Sequence, residues 1–191
     1  FIVDMDSPGV LREKKLQKMG MHASDTALLA FDDVRVPASA VLGQVGKGFY
    51  HIMWELQGER MIGAAGCVSG AQHMFDKTLQ YVNERNVFGR PLAKFQVTRH
   101  KFAEMATKIE AAHAMMVKAA RVKDRGRRND LEAGMAKYLA SEYCAQVVED
   151  SFRIHGGYGF SKEYEIERLY REAPMLLIGE GTADIQRMII G

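Results

Sequence analysis

The sequence predicts a mostly α-helical chain, in which a short β segment leads into a bundle of about four helices. Three observations carry that prediction. Apolar residues alternate at period two only before about residue 45, at Leu29 and Phe31 and again at Val34 and Val36. After Gly48 the apolar spacing changes to steps of three and four. Glycine and proline then punctuate the helical pattern, among other places at Gly126, Gly156-Gly157, Pro174 and the pair Gly179 and Gly181.

Residues 1–45 read as β structure. The opening Phe1-Ile2-Val3-Asp4 looks like the middle of a strand, and the last residues, Met188 to Gly191, are apolar without a charged tail. The chain therefore reads as a piece of a larger protein. Within "ALLAFDDVRVP" (27–37), Asp32-Asp33 shifts the alternation as a bulge or turn would, and Pro37 closes the run. Gly20, Gly43, Gly46 and Gly48 punctuate the loops.

One long helix is expected over 49–85. Its small residues Gly58, Gly63, Ala64, Ala65, Gly66 and Gly70 include four glycines that lower helix propensity, which close packing against a helix or ligand would offset. A second helix is expected over about 95–124, with Phe102, Met105, Ile109, Ala112, Met116 and Ala119 on one face and Gly126 at its end. Asn129 with Glu132 suits a capping box for a third helix running to about Ile154, with a stripe of Met135, Leu139, Tyr143, Val147 and Phe152. "HGGYGF" (155–160) breaks it. Ser161 can cap a short helix through Arg171, with Pro174 just beyond, and Thr182 can cap a last helix.

Composition narrows the function classes. Hydrophobic residues make up 47% and charged residues 26% of the 191, which fits a globular protein. A net charge of +2 gives no case for nucleic acid. Cys67 and Cys144 read as buried reduced thiols. No apolar run approaches the roughly 18 residues of a membrane span, and no signal peptide is visible. The six histidines are scattered and there is no CxxC, which argues against a metal site. No Ser-His-Asp or G-x-S-x-G arrangement is evident.

Four stretches can carry chemistry. In "LLIGEGTADIQ" (176–186), Glu180 stands between Gly179 and Gly181. An apolar setting disfavours a charged carboxylate, and a base near neutral pH benefits from that. The same pattern also fits a plain turn glutamate beside a helix start. In "ERNVFGRPLAKFQ" (84–96), Arg85 and Arg90 suit bidentate phosphate contacts and Phe88 offers an aromatic surface, though a polar helix connection reads the same way. In "RIHGGYGF" (153–160), three glycines either expose N–H groups to an anion or simply end a helix. "KDRGRRND" (123–130) reads as a solvated basic helix tip, with phosphate binding as the alternative.

Taken in order, "MGMHASDTALLAFDDVRVP", "GERMIGAAG", "ERNVFGRPLAKFQ", "RIHGGYGF" and "IGEGTADIQR" closely resemble the acyl-CoA dehydrogenase family over nearly the whole chain. The resemblance implies a fragment of an α+β+α flavoprotein. Residues 1–45 would be the incomplete end of its middle, β-barrel-like domain, and residues 46–191 its C-terminal four-helix bundle. It implies α,β-dehydrogenation of an acyl-CoA thioester as in fatty acid β-oxidation, with Glu180 as the α-proton base and hydride passing to N5 of FAD. Arg85, Phe88, Gln96, Arg153, Gly156, Gly157, Thr182 and Asp184 would contact FAD, part of it across a subunit interface. Gly179, Gly181, Arg60 and Arg128 would lie on the substrate side, Arg128 toward the CoA end. Electron-transferring flavoprotein would be the acceptor, and a homodimer or homotetramer the assembly. A bacterial cytoplasm or a mitochondrial matrix would suit such an enzyme. The fragment alone would be inactive, lacking half of the flavin site.

Three departures from the family pattern stand out. Arg153 replaces a frequent Gln, Gly179 replaces the Tyr of several straight-chain enzymes, and Glu59 matches the base of isovaleryl- and long-chain-type members. Glu59 is therefore the alternative base. Two other readings stay open: a related oxidase (acyl-CoA oxidase or nitroalkane oxidase-like), and a non-catalytic helical scaffold for oligomerisation.

Overall fold

The β segment folds as a two-stranded antiparallel ribbon of β1 (Val10–Lys15) and β2 (Ala27–Phe31), with a register shift between Arg12 and Lys14. Beyond Phe31 the Asp32 N–H returns to the Gly9 carbonyl at 2.8 Å, and Asp33 turns into the left-handed region at φ +44°. The phase shift at Asp32-Asp33 is therefore a turn that ends the strand. Val34 and Val36 lie outside any strand, and so do residues 1–4, contrary to the sequence reading. After Pro37 comes a single 3-10 turn, Ala38–Ala40. A two-stranded ribbon has no second layer of its own, and Leu28 and Phe31 are exposed on it.

This computed structural model describes residues 1–191, in two compact units, Phe1–Glu55 and Leu56–Gly191. Five helices follow the ribbon: α1 (Gly48–Glu84), α2 (Gln96–Asp124), α3 (Asp130–His155), α4 (Ile166–Ile178) and α5 (Ala183–Ile190). A small hairpin, β3 (Asn86–Val87) with β4 (Arg90–Pro91), joins α1 to α2. A 3-10 segment, Gly156–Phe160, follows α3. No helix is long and apolar enough to cross a membrane.

In the second unit, α3 is the central helix, packed against α2, α4 and α5. The core joins Ala64, Cys67 and Met74 of α1, Met105 and Ile109 of α2, Ala140, Cys144 and Val147 of α3, and Ile166 and Ala173 of α4. Small residues dominate where helices meet, so backbones approach closely. Gly70 illustrates this: a Cβ there would lie 4.0 Å from Cys144 Sγ. Both cysteines are buried free thiols, as expected.

Four local expectations fail, wholly or in part. Of the expected α3 stripe only Val147 is fully buried; Met135, Leu139, Tyr143 and Phe152 are half-buried, and Ala133, Ala136, Ala140 and Cys144, one step away, join Val147 on the buried face. A helix surrounded on several sides favours small side chains innermost. Asn129 flanks α3 without a side-chain cap; its Nδ2 donates instead to the Ala119 carbonyl at 3.3 Å. Ser161 makes only a local turn, accepting from Glu163 N–H at 3.4 Å, and α4 begins at Ile166. Pro174 lies inside α4 rather than beyond it. Leu169 and Ala173 before it and Leu176 after it all pack on the core, and that burial outweighs the lost backbone hydrogen bond.

Candidate functional site

Glu180 occupies the short connection between α4 and α5. Gly179 closes α4 with its N–H on the Met175 carbonyl at 2.8 Å, and Thr182 caps α5 by accepting from Ile185 N–H at 3.4 Å. Between them Glu180 takes φ +57° and Gly181 φ +98°. A left-handed Glu costs about 1–2 kcal/mol relative to an ordinary conformation, so the surroundings must hold it.

They hold it from three sides. Gln186 of α5 is fully buried, and its Nε2 donates to the carbonyls of Glu180 (3.0 Å) and Gly181 (3.1 Å). Arg60 of α1, 5% exposed, donates from Nε to the Glu180 carbonyl at 3.4 Å. Lys137 of α3, 2% exposed, donates from Nζ to the carbonyls of Gly181 (2.7 Å) and Leu177 (3.3 Å). Burial pushes the Lys137 ammonium below its ordinary range, while Cys67, Glu180 and Glu142 oppose that shift. The Gln186 Oε1 atom is buried without a hydrogen-bond partner.

The Glu180 side chain lies over α1. A Cβ on Gly63 would be 3.8 Å from Glu180 Cγ, so that glycine leaves the carboxylate arm its room. Glu59 is four residues before Gly63 and shares its helix face, half-buried. The two candidate bases thus converge on one patch of α1. Gly179 is narrow on its far side, where a Cβ would meet Met175 Cε and the Met175 carbonyl at 3.3 Å. Arg60 belongs to this site, but as a clamp on the backbone of Glu180. Arg128 does not reach it: its side chain is exposed and paired with Asp130 at the α2–α3 tip.

A second cluster gathers Arg85, Val87, Gly156, Gly157, Tyr158 and Ser161 around one groove. Arg85 lies 5.5 Å from the Tyr158 ring centroid. Gly156 has φ +57°, and no atom lies within 4 Å of where a Cβ on Gly156 or Gly157 would stand. That open backbone, beside an exposed guanidinium, suits an anionic ligand such as a phosphate. Below it His155 is buried, stacked on Tyr81 at 4.2 Å, with Nδ1 against the Ser151 carbonyl at 2.8 Å; burial lowers its pKa. Gln96 is exposed as the first residue of α2, and Phe88 is 96% exposed at the tip of the β3–β4 hairpin. Arg90, itself exposed, lies over the Phe95 ring at 4.1 Å. Arg153 pairs with Glu149 at 2.5 Å, and Asp184 with Arg187 at 2.6 Å.

The two clusters stand at opposite ends of α3. Nineteen residues separate Lys137 from Gly156, roughly 28 Å at the helical rise of 1.5 Å per residue. Thr182 and Asp184 are with Glu180; Arg85, Gly156 and Gly157 are at the far end. The sequence reading missed Lys137 and Gln186. Lys137 had a signal: it falls on the buried face between Ala133 and Ala140, where helical spacing calls for an apolar residue.

The family pattern described as "Acyl-CoA dehydrogenase, C-terminal domain" matches residues 46–191. A probable acyl-CoA dehydrogenase of Bacillus subtilis is 43% identical over 190 residues, covering 100% of this chain and 50% of that protein. A caffeyl-CoA reductase-Etf complex subunit of Acetobacterium woodii is 40% identical over the same span, again 100% of this chain and 50% of that protein. The crystal structure of an acyl-CoA dehydrogenase from Geobacillus kaustophilus superposes with a TM-score of 0.96 at 40% identity, over 98% of this chain and 50% of that one. The chain spans about half the length of these relatives.

Proposed function

Because the chain belongs to the acyl-CoA dehydrogenase family, we propose that it forms the base-bearing C-terminal part of an enzyme that desaturates an acyl-CoA thioester between Cα and Cβ. The observation that carries this reading is the Glu180 connection: a carboxylate held in a left-handed turn by buried donors, with its arm over a glycine. A weakly acidic α proton needs a base fixed within reach and shielded from water. Glu180 takes the α proton as the β hydrogen departs with its electron pair, leaving the enoyl thioester. FAD, when bound, supplies the acceptor for that hydride at N5.

The chain's other residues serve binding. Arg85, Phe88, Gln96, Gly156 and Gly157 hold the adenosine diphosphate end of FAD, and Thr182 and Asp184 meet its ribitol and phosphates. Since these groups lie at opposite ends of α3, one FAD takes them from two copies of the chain, and the enzyme is at least a homodimer. Arg153 is engaged with Glu149 and contributes to FAD binding only if that pair opens. Electron-transferring flavoprotein is the acceptor; the Acetobacterium relative, named for its Etf complex, supports that reading. Gly179 leaves space beside the base for branched or bulky acyl groups.

A second reading has its own observation. Glu59 shares the helix face on which Glu180 rests, so Glu59 is the alternative base. The deciding experiment is an anaerobic titration of the full-length protein with a panel of acyl-CoAs, following the visible flavin band. Bleaching by one acyl class supports the dehydrogenase reading and identifies the substrate class. A yellow protein that no acyl-CoA bleaches overturns it, and sharp preference for short linear chains overturns the role given to Gly179.

A further inference from the structure

We propose that Lys137 is a positioning residue for the base: its ammonium ties the Leu177 and Gly181 carbonyls together and so fixes the segment that carries Glu180. The inference rests on the reading of Glu180 as base.

The geometry is that of a staple. Leu177 lies in the last turn of α4, where carbonyls lack partners within the helix. Gly181 immediately precedes Thr182, the cap of α5. One nitrogen, donated from α3, holds both at 3.3 and 2.7 Å, and Glu180 lies between them. Gln186 and Arg60 also bind this connection, but only at Glu180 and Gly181. Among these three side chains, Lys137 alone joins the α4 side to the α5 side.

Chemistry also argues against a filler role. Burying an ammonium opposes its charged form, and Lys137 is 2% exposed. A Met or Leu would fill the same space on the small-residue face of α3 without that cost. A cation at the end of α4 also suits the negative end of that helix. The charge of Glu180 opposes the loss of the Lys137 proton. Lys137 thus combines a mechanical hold on the backbone with a charge that complements the base.

The test uses the full-length, FAD-loaded protein and three variants, Lys137→Met, Lys137→Arg and Glu180→Gln. Stopped-flow flavin reduction at a range of acyl-CoA concentrations gives the limiting reduction rate and Kd, and steady-state turnover with an electron acceptor gives kcat and KM. Misplacing a reacting group by about 1 Å costs on the order of a hundredfold. Lys137→Met should therefore slow flavin reduction about ten- to hundredfold at saturation, with KM and FAD content unchanged. Lys137→Arg keeps a donor and should fall between Met and wild type. Wild-type kcat in Lys137→Met with FAD retained overturns the proposal. If Lys137→Met loses FAD, Lys137→Arg decides: reduced kcat at unchanged KM supports the role, and wild-type kcat overturns it. Glu180→Gln separates the two ideas. If it abolishes flavin reduction while Lys137→Met is wild type, only the positioning role fails. If Glu180→Gln turns over normally, the base reading fails, and the positioning role with it.

Discussion

Two residues in the helical unit adopt a left-handed backbone without being glycine, Glu180 at φ +57° and Phe88 at φ +50°. Their settings are opposite. Glu180 is held from inside by donors on α1, α3 and α5, all of them buried. Phe88 sits at the tip of a two-residue hairpin whose support is its own ladder, Asn86 with Pro91 and Val87 with Arg90, and its ring is almost wholly in solvent. Such strain persists where something over-determines it. For Glu180 the determinant lies within the chain. For Phe88 it is the two-residue turn itself, which needs a positive φ at both Phe88 and Gly89 (φ +78°). The hold on Glu180 is therefore tertiary, whereas that on Phe88 is local.

The contrast can be broken most decisively at the base. Glu180→Gln should abolish flavin reduction by every acyl-CoA, whereas Glu59→Gln should leave it measurable; the reverse pattern in stopped-flow traces would transfer the role to Glu59. Next in size is the inner support. Gln186→Met removes two hydrogen bonds to carbonyls that Arg60 and Lys137 still reach, and a typical hydrogen bond contributes about 0.5–1.5 kcal/mol. Chemical denaturation should show that loss, together with slower flavin reduction.

The outer case has the opposite sign. Phe88→Gly removes no buried surface and relieves a left-handed strain of about 1–2 kcal/mol. The protein should unfold at a higher temperature yet lose FAD more readily on dilution or gel filtration. Lower stability with normal FAD retention would dissolve the distinction between the two residues.

The smallest effect concerns His155, under the glycine cradle. Burial depresses its pKa, so the folded ring stays neutral after the unfolded one, near pH 6.5, has taken a proton. Its contribution is complete above that value and is lost as pH falls through the depressed folded value. Melting temperature should decline from pH 7.5 toward pH 5, and less so in His155→Phe, which keeps a ring against Tyr81. An identical decline in both would assign the pH dependence to other groups.

Much of this was readable in the sequence. Helix ends at Gly126, Gly156 and Thr182 were legible because glycine conformations and a capping hydroxyl act within a few residues. Glu180 was conspicuous through its flanking glycines. Pro174 misled, since local propensity counts its missing N–H but not the burial of Leu169, Ala173 and Leu176 along one face of α4. The α3 stripe was drawn through the largest apolar side chains, while close packing placed Ala140 and Cys144 innermost. Lys137 was hidden because a lysine read in isolation belongs to solvent, and the carbonyls that make its burial tolerable come from residues 40 and 44 positions away. The left-handed turn at Phe88-Gly89 was also missed, because a Phe there gives none of the signal that Asn or Asp would.

The length of α3 has a genetic consequence. With 26 residues it spans about 39 Å, so in the proposed homodimer, where each FAD draws on both copies, damage to the carboxylate at one end and damage to the glycine cradle at the other strike different cofactors. A cell carrying one allele altered at Glu180 and another altered at Gly157 would assemble mixed dimers in which one cofactor meets an intact carboxylate and an intact cradle. Two inactive alleles would then complement each other, up to half the wild-type activity per mixed dimer, whereas two alleles damaged at the same end would not.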